Sequence, residues 1–325
     1  MVTLRDLLLQ PAFPDGTAAF HTLTGAGEPS LSHKSWVADY PEVLPQALRI
    51  FENPDQDTIN TIFGDENALD HRLLTKDVMP LNDTVEWFQK EGDSVRAFYT
   101  HISHPIQLAF HTNLGPPFII QRSESGPLGQ TQVSQTVDFS WGCGESSLMI
   151  GELKRHGIIN TGAWITSPRR PDGNRVWLGK ELRAYCHKYK CFAASGFDGR
   201  HLLILVFQAQ TVRQIGDQNC PVTGLLFAHG CPTLQYGLFR TVTQQIGRMQ
   251  ATTAPPVTLD GYVRRFRYWS GAPYWVDGNN EYEVHPTGYI RMLDVSGAWY
   301  WAHLDGQPVL YEDGGVVWDT AGLGL

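Results

Sequence analysis

Two periods of apolar residues organise the middle of the chain. Between Asn82 and Ile102, Val85, Phe88, Val95, Phe98 and Tyr99 recur at near-helical spacing, with Asn82 or Asp83 available as an N-cap and Glu86 in the first turn. Gly92 interrupts the run, so the pattern predicts one kinked helix or two short ones, continued from Pro105 to Phe110. The period then changes to two. Val133, Val137 and Phe139 fall on one side of Gln130–Trp141, with Gln135 the polar exception, and Ser134, Thr136 and Asp138 fall on the other. Strands are also expected over Pro117–Gln121 and over Ser147–Arg155, which is apolar until Glu152. Gly142–Ser146 reads as the hairpin turn between the last two. Trp177–Lys190 returns to helical spacing, with Leu178, Leu182, Tyr185 and Tyr189 on one face. Cys191–Phe197 and His201–Gln208 flank Asp198-Gly199, a strong hairpin signal. Thr233–Met249 is the last predicted helix, and Ala251–Val257 a Pro-containing linker.

The flanks are patterned differently. Residues 1–80 are mixed, with a helix expected around Val43–Phe51 and an acidic, weakly patterned stretch from Asn53 to Asp70. Toward the C-terminus, five of the ten tryptophans gather at Trp269, Trp275, Trp299, Trp301 and Trp318, among short aromatic runs punctuated by Gly and Asp. The organisation expected is an N-terminal mixed segment over 1–80, an α/β core over 81–255 and a small aromatic-rich β module over 256–325. Helix, three strands, helix and two strands in succession imply a mixed central sheet flanked by helices.

Composition narrows the class. With 42% hydrophobic and 18% charged residues in 325, the chain has material for a sizeable core and too little charge for disorder. The longest apolar run, Leu202–Phe207, is far short of the ~20 residues that span a bilayer, so no membrane segment is expected. The first residues, with Arg5 and Asp6 inside their apolar stretch, do not read as a signal peptide. Five cysteines, an odd number, suit reduced thiols, and the expected location is intracellular, in cytoplasm or nucleus.

Charge adds one feature. The net charge is −8, yet Lys154–Lys190 holds nine Lys and Arg against only Asp172 and Glu181; with that surplus of seven, the remainder carries −15. Such a run is commonly just a solvated face. The sharper reading is a surface for a polyanion, with Arg155, Arg169, Arg170, Arg175, Lys180 and Arg183 meeting a nucleic-acid backbone.

Chemistry lies beside it. In Gly151-Glu152-Leu153-Lys154 the alternation of a strand sends Glu152 and Lys154 to the same face, and Asp138 on the preceding strand can reach that face. Two close carboxylates suit a hard divalent cation, Mg²⁺ or Mn²⁺, and the Leu153 carbonyl could add a ligand. Lys154 could then orient a water or offset charge on a phosphorus-bound oxygen. The plainer reading is a strand ending in solvent.

The order helix, Asp-ended strand, E-x-K strand, basic helix and strand resembles the PD-(D/E)XK nuclease-like superfamily. The text Val137-Asp138-Phe139, Gly151–Lys154, Leu178–Tyr185 with Tyr189, and Phe197–Leu205 looks like a fungal branch of it, over roughly residues 83–250. The resemblance implies a restriction-endonuclease-like core, Asp138 and Glu152 as metal ligands and Lys154 as the catalytic lysine. It also implies a helix glutamate completing the site, with Glu91 the candidate and Glu86 the reserve. Two positions depart from the pattern: Val137 stands where a proline commonly precedes the aspartate, and Glu181 stands where many active members carry glutamine.

Other signals are weaker. Cys186-His187 with Cys191, and Cys220 with His229 and Cys231, lack a C-x-x-C pair for zinc. Arg264, Arg265 and Arg267 alternate with Tyr262, Phe266, Tyr268 and Trp269; a single-strand-binding face is one reading, and a strand with inward aromatics and solvent-reaching guanidiniums is the favoured one. Two functions stand at this point: a metal-dependent nuclease whose Glu152 and Lys154 serve chemistry rather than folding, and a catalytically silent module of the same fold that binds nucleic acid or a protein partner.

Overall fold

The computed structural model describes residues 2–13, 18–20, 35–66, 68–75, 77–78, 86–88, 91–110, 119–125, 137–143, 146–166, 172–253, 257–266, 273–293, 299–302 and 308–311. Its centre is a seven-stranded mixed sheet built from β1 (Leu48–Glu52), β2 (Ile120–Ser125), β3 (Val137–Cys143), β4 (Ser146–Leu153), β5 (Ala193–Phe197), β6 (His201–Phe207) and β7 (Val222–Ala228). The spatial order is β1-β7-β6-β5-β4-β3-β2. β2, β3 and β4 form an antiparallel meander, β5 joins β4 in parallel, β6 and β7 continue antiparallel, and β1 closes the far edge in parallel with β7. Strands β4 to β7 are buried almost throughout, which is why they read as apolar runs rather than as a clean alternation.

Helices cover both faces. They are α1 (Leu4–Leu8), α2 (Gln56–Phe63), α3 (Ala68–Leu74), α4 (Glu91–Ala97), α5 (His104–Leu108), α6 (Thr161–Ile165), α7 (Gly173–Tyr189), α8 (Val212–Ile215) and α9 (Leu234–Thr253). A π-helical turn, Phe98–Ser103, joins α4 to α5. On one face Phe139, Trp141, Phe197, Ile204 and Phe227 share a core with residues of α1, α4, α5 and α9. On the other, Ile150, Ala194, Leu203 and Leu205 pack with Leu178, Leu182 and Tyr185 of α7. Helix α7 has firm ends: the Asp172 carboxylate accepts the Asn174 N–H at 2.9 Å, and Lys190 adopts a left-handed conformation at its C-terminus (φ 55°).

The β3–β4 register is fixed by a close approach. Phe139 stands opposite Gly151, and its ring occupies the space that a Gly151 side chain would need. A Cβ built there lies 2.0 Å from the ring. The residues one step further along the two strands, Asp138 and Glu152, are thereby set against each other.

Several expectations shift. The Val43–Phe51 helix is not formed; a 3₁₀ turn at Pro45–Ala47 leads into β1. Pro45 biases Leu44 toward extended backbone, and Ile50 fills the place above Gly224 on β7, so long-range pairing overrides local spacing. The helix from Asn82 is divided: Glu86–Phe88 is a short strand, and α4 begins at Glu91. The Pro117–Gln121 strand lies later, at β2. Residues 126–136, the first part of the Gln130–Trp141 strand, lie outside the described residues. The helix at the end of the core runs on into the first three residues of the expected linker, to Thr253.

The acidic stretch before Asp70 finds its purpose on α9. Buried Arg240 pairs with Asp70 at 3.5 Å and donates to the Gly64 carbonyl at 2.8 Å and to Asn60. Tyr236, one turn earlier, donates to Glu66 at 2.6 Å, with its hydroxyl oxygen 2.8 Å from Asn60 Oδ1, and Arg5 pairs with Glu66. Asn53 fastens the same region to the sheet, accepting the Ala228 N–H at 2.8 Å through its side chain.

Beyond the core, a separate four-stranded antiparallel sheet runs in order through β8 (Val257–Leu259), β9 (Tyr262–Phe266), β10 (Pro273–Asp277) and β11 (Asn280–Tyr282). Trp275 is its buried anchor, edge-on to His285 at 4.3 Å between ring centroids. Arg264 faces Trp275 across the ladder and is buried, while Arg265 is exposed, so the expectation that these guanidiniums reach solvent fails at Arg264.

Two outcomes follow. Gly151→Ala should destabilise the fold by about 1–3 kcal/mol through the clash with Phe139, read as a lower denaturation midpoint; Phe139→Leu in the same chain should restore part of it. The second concerns acid. Burial alone would raise the Glu66 carboxyl, but hydrogen bonds from Arg5 and Tyr236 outweigh it and hold the pKa below the usual range. Its contribution is complete above the unfolded glutamate value, about 4.3, and is lost as pH falls through the lower folded value. Thermal unfolding between pH 6 and pH 3 should therefore show a smaller acid-induced fall in Tm for Glu66→Gln than for the parent chain.

Candidate functional site

The C-terminal end of β4 meets the middle of α7. Glu152 lies in the last turn of alternation of the strand and Lys154 just past its end, where the Lys154 N–H still donates to the Phe197 carbonyl at 2.7 Å. The Lys154 ammonium is 2.9 Å from Glu152 Oε2 and 3.0 Å from Glu181 Oε2. Glu152, Lys154 and Glu181 are exposed by only 2%, 6% and 7%, so this is an interior triad and not a surface pair. Tyr185, one turn beyond Glu181 on α7, is fully buried and hydrogen-bonds Glu152. An E-x-K strand end and an E-x-x-x-Y helix turn thus interlock crosswise, lysine to the helix carboxylate and tyrosine to the strand carboxylate.

Asp138 stands beside this interlock. The pairing of Phe139 with Gly151 places it opposite Glu152, and its Oδ2 accepts the Leu153 N–H at 2.5 Å. From the other side of the meander, Tyr99 donates to the Asp138 carbonyl at 3.3 Å. The Asp138, Glu152 and Glu181 charges all act on the Tyr185 hydroxyl.

The electrostatics follow from burial and partner charge. Burial by itself would lower the Lys154 pKa; the two carboxylates outweigh it and drive the value upward, so the side chain is an ammonium at neutral pH. Burial is the first cause raising Tyr185, and the carboxylates add to it, so its phenol stays protonated as a donor. Tyr189, one turn on, is also raised chiefly by burial.

The other expected site residues are scattered. Leu153 meets Asp138 through its amide N–H. Glu91 begins α4, and Glu86 begins the short strand before it; their side chains lie outside the described residues. So do Arg169 and Arg170 in their entirety. Arg155 is half-buried, and Lys180 lies 5.8 Å from the Trp177 ring centroid on the half-buried side of α7. Arg175 and Arg183 are not surface residues, which corrects their assignment to a phosphate-binding face. Arg183, with no exposure, donates to the carbonyls of Ile215 (2.9 Å) and Asp217 and stacks its guanidinium over Phe207. Arg175 sits over Trp164 and reaches the Val43 carbonyl. Charge counting along a sequence does not distinguish a helix face turned inward from one turned outward, and α7 turns both ways.

Glu181 and Tyr185 enter the site as the residues that motif reading underused. The signal was their spacing of four, which puts a carboxylate and a hydroxyl on one helix face. Asp198, by contrast, is a structural carboxylate at the β5–β6 hairpin, accepting N–H groups of Gly157, Ile159, Arg200 and His201 at 2.8 to 3.1 Å. All five cysteines are buried free thiols.

Asp138, Glu152 and Glu181 are carboxylates of this site, and Asp138 and Glu152, opposite each other on paired strands, are the two that could hold a cation between them. No group of three His, Cys, Asp or Glu side chains gathers as a ready metal cage among the described residues. Two carboxylates still suit Mg²⁺, which keeps several waters and commonly takes one or two protein carboxylates. No helix among them is long and apolar enough to cross a membrane. Comparison with protein-family models, curated proteins and solved structures finds no match.

The burial of Lys154 revises the view that it serves chemistry alone. Lys154→Met leaves two interior carboxylates without their cation and should cost about 3–5 kcal/mol of stability. Adding Glu181→Gln to Lys154→Met removes one of the uncompensated charges and should recover part of that loss. Denaturant titration of the two single variants and the double variant gives the coupling directly.

Proposed function

We propose that the chain is a metal-dependent nuclease of the PD-(D/E)XK type, acting on phosphodiester bonds. The observation that supports this most is the convergence of Asp138, Glu152 and Lys154 at one end of adjacent strands, backed by a buried helix turn. The antiparallel meander β2–β4, with β5 joined to β4 in parallel and α7 packed beside them, is in keeping with this reading.

In this reading Asp138 and Glu152 hold Mg²⁺ or Mn²⁺, which when bound would acidify a water and neutralise charge on the scissile phosphate. The chain's own groups do the rest. Asp138 is oriented by the Leu153 amide and Glu152 by Tyr185, so neither carboxylate swings freely. Lys154 supplies a fixed positive charge and N–H donors toward the phosphate oxygen on which negative charge grows. Backbone contact falls to Arg155 and Lys180, with Arg169 and Arg170 as further candidates from the sequence.

One observation favours the second reading, a silent binding module. Lys154 is closed between two carboxylates and nearly out of solvent, and two of the expected phosphate contacts are internal. The decisive assay is cleavage of single- and double-stranded DNA and RNA with Mg²⁺ or Mn²⁺, comparing the parent chain with Glu152→Gln and Lys154→Ala after each variant's folding is verified. The nuclease reading expects losses of about 100-fold or more for either change. Equal cleavage by all three places the activity elsewhere. A parent chain that binds nucleic acid with a steep salt dependence but cleaves none is the silent module.

A further inference from the structure

We propose that Glu181 is a positioning residue that draws the Lys154 ammonium off Glu152 and so leaves Glu152 able to accept a divalent cation. The inference rests on the metal reading above and assigns a task to a carboxylate which that reading does not use. An ammonium and a metal ion compete for the same carboxylate oxygens. At a strand end, lysine two residues from glutamate reaches it without help, and in a site this dry one buried carboxylate would hold the ammonium tightly. The structure removes that exclusivity. Lys154 stands 2.9 Å from Glu152 and 3.0 Å from Glu181, so it has two partners at nearly equal reach, from two different elements.

Glu181 is well placed to be the permanent partner. Its neighbours Leu178, Leu182 and Tyr185 are buried against the sheet, and Arg183 ties the next turn to the carbonyls of Ile215 and Asp217. Helix α7 therefore cannot follow the lysine, and the lysine can shift toward the helix. When Glu152 turns an oxygen to a cation, Lys154 retains a full carboxylate partner within hydrogen-bond distance. Tyr185 meanwhile keeps its hydrogen bond to Glu152. The lysine is thus held near the reacting centre without occupying the ligand beside it.

The test is Mn²⁺ binding to the full chain without nucleic acid, read from the electron paramagnetic resonance signal of free Mn²⁺. Glu181→Asp keeps the charge but withdraws the carboxylate by one methylene, so a change in affinity reports reach and not net charge. Mn²⁺ affinity should fall about tenfold in Glu181→Asp, a coupling of the size found between residues in direct contact. In a Lys154→Gln background, where no ammonium competes, Glu181→Asp should leave the affinity unchanged. Equal loss in both backgrounds would make Glu181 a metal ligand and overturn the proposal; no loss in either would make it a fold support and overturn it equally. A parent chain that binds no Mn²⁺ at all overturns the metal reading and this inference together, whereas tight binding indifferent to Glu181→Asp overturns the inference alone.

Discussion

A buried ammonium between two carboxylates constrains the centre of this protein more than any apolar contact does. Apolar side chains tolerate exchange and small displacements; an interior charge does not, because each ion loses its hydration and regains enough only at hydrogen-bond distance. Lys154 must therefore find Glu152 and Glu181 together. That requires β4 to end where α7 passes, and α7 to present its third turn at that height. The capped start at Asp172, the Phe139 ring over Gly151 and the buried arginines of α7 all serve that alignment.

The same principle recurs on the opposite face with a different purpose. Arg240 lies inside the protein, satisfied by Asp70, Asn60 and the Gly64 carbonyl, and it joins the N-terminal helices to α9. Both clusters place long-range polar partners where an apolar core alone would allow several packings. The distinction between them is access to function: the Arg240 cluster saturates its cation with fold-defining partners, while the Lys154 cluster lies against Asp138 at the end of two strands.

Local pattern made much of the core legible. Asp198-Gly199 marked a hairpin because the turn chemistry is local, and the face of Leu178, Leu182, Tyr185 and Tyr189 marked α7 because one helix side lies in the core. The placing of Glu152 and Lys154 on one side of a strand followed from alternation alone. Features that depend on distant partners were not legible. β1 has no pattern of its own and becomes a strand by pairing with β7. The acidic residues before Asp70 look like solvent-facing charge until Arg240 and Tyr236 are brought to them. Arg175 and Arg183 sit in a basic run, yet each is internal, since burial of a guanidinium depends on carbonyls and rings contributed by other segments.

The placing of β1 carries a consequence for how the chain assembles. Its parallel partner β7, and the Ala228 amide that Asn53 receives, lie as much as 175 positions further along. During synthesis the segment holding β1, α2 and α3 emerges well before the strand and helix that will cover it. The meander β2–β4 and the β5–β6 hairpin are short-range and can form as they appear, whereas the edge strand must wait for β7. Until then its apolar side chains and unpaired backbone are open to other chains, which makes the far edge of the sheet the place where a nascent molecule is most dependent on protection.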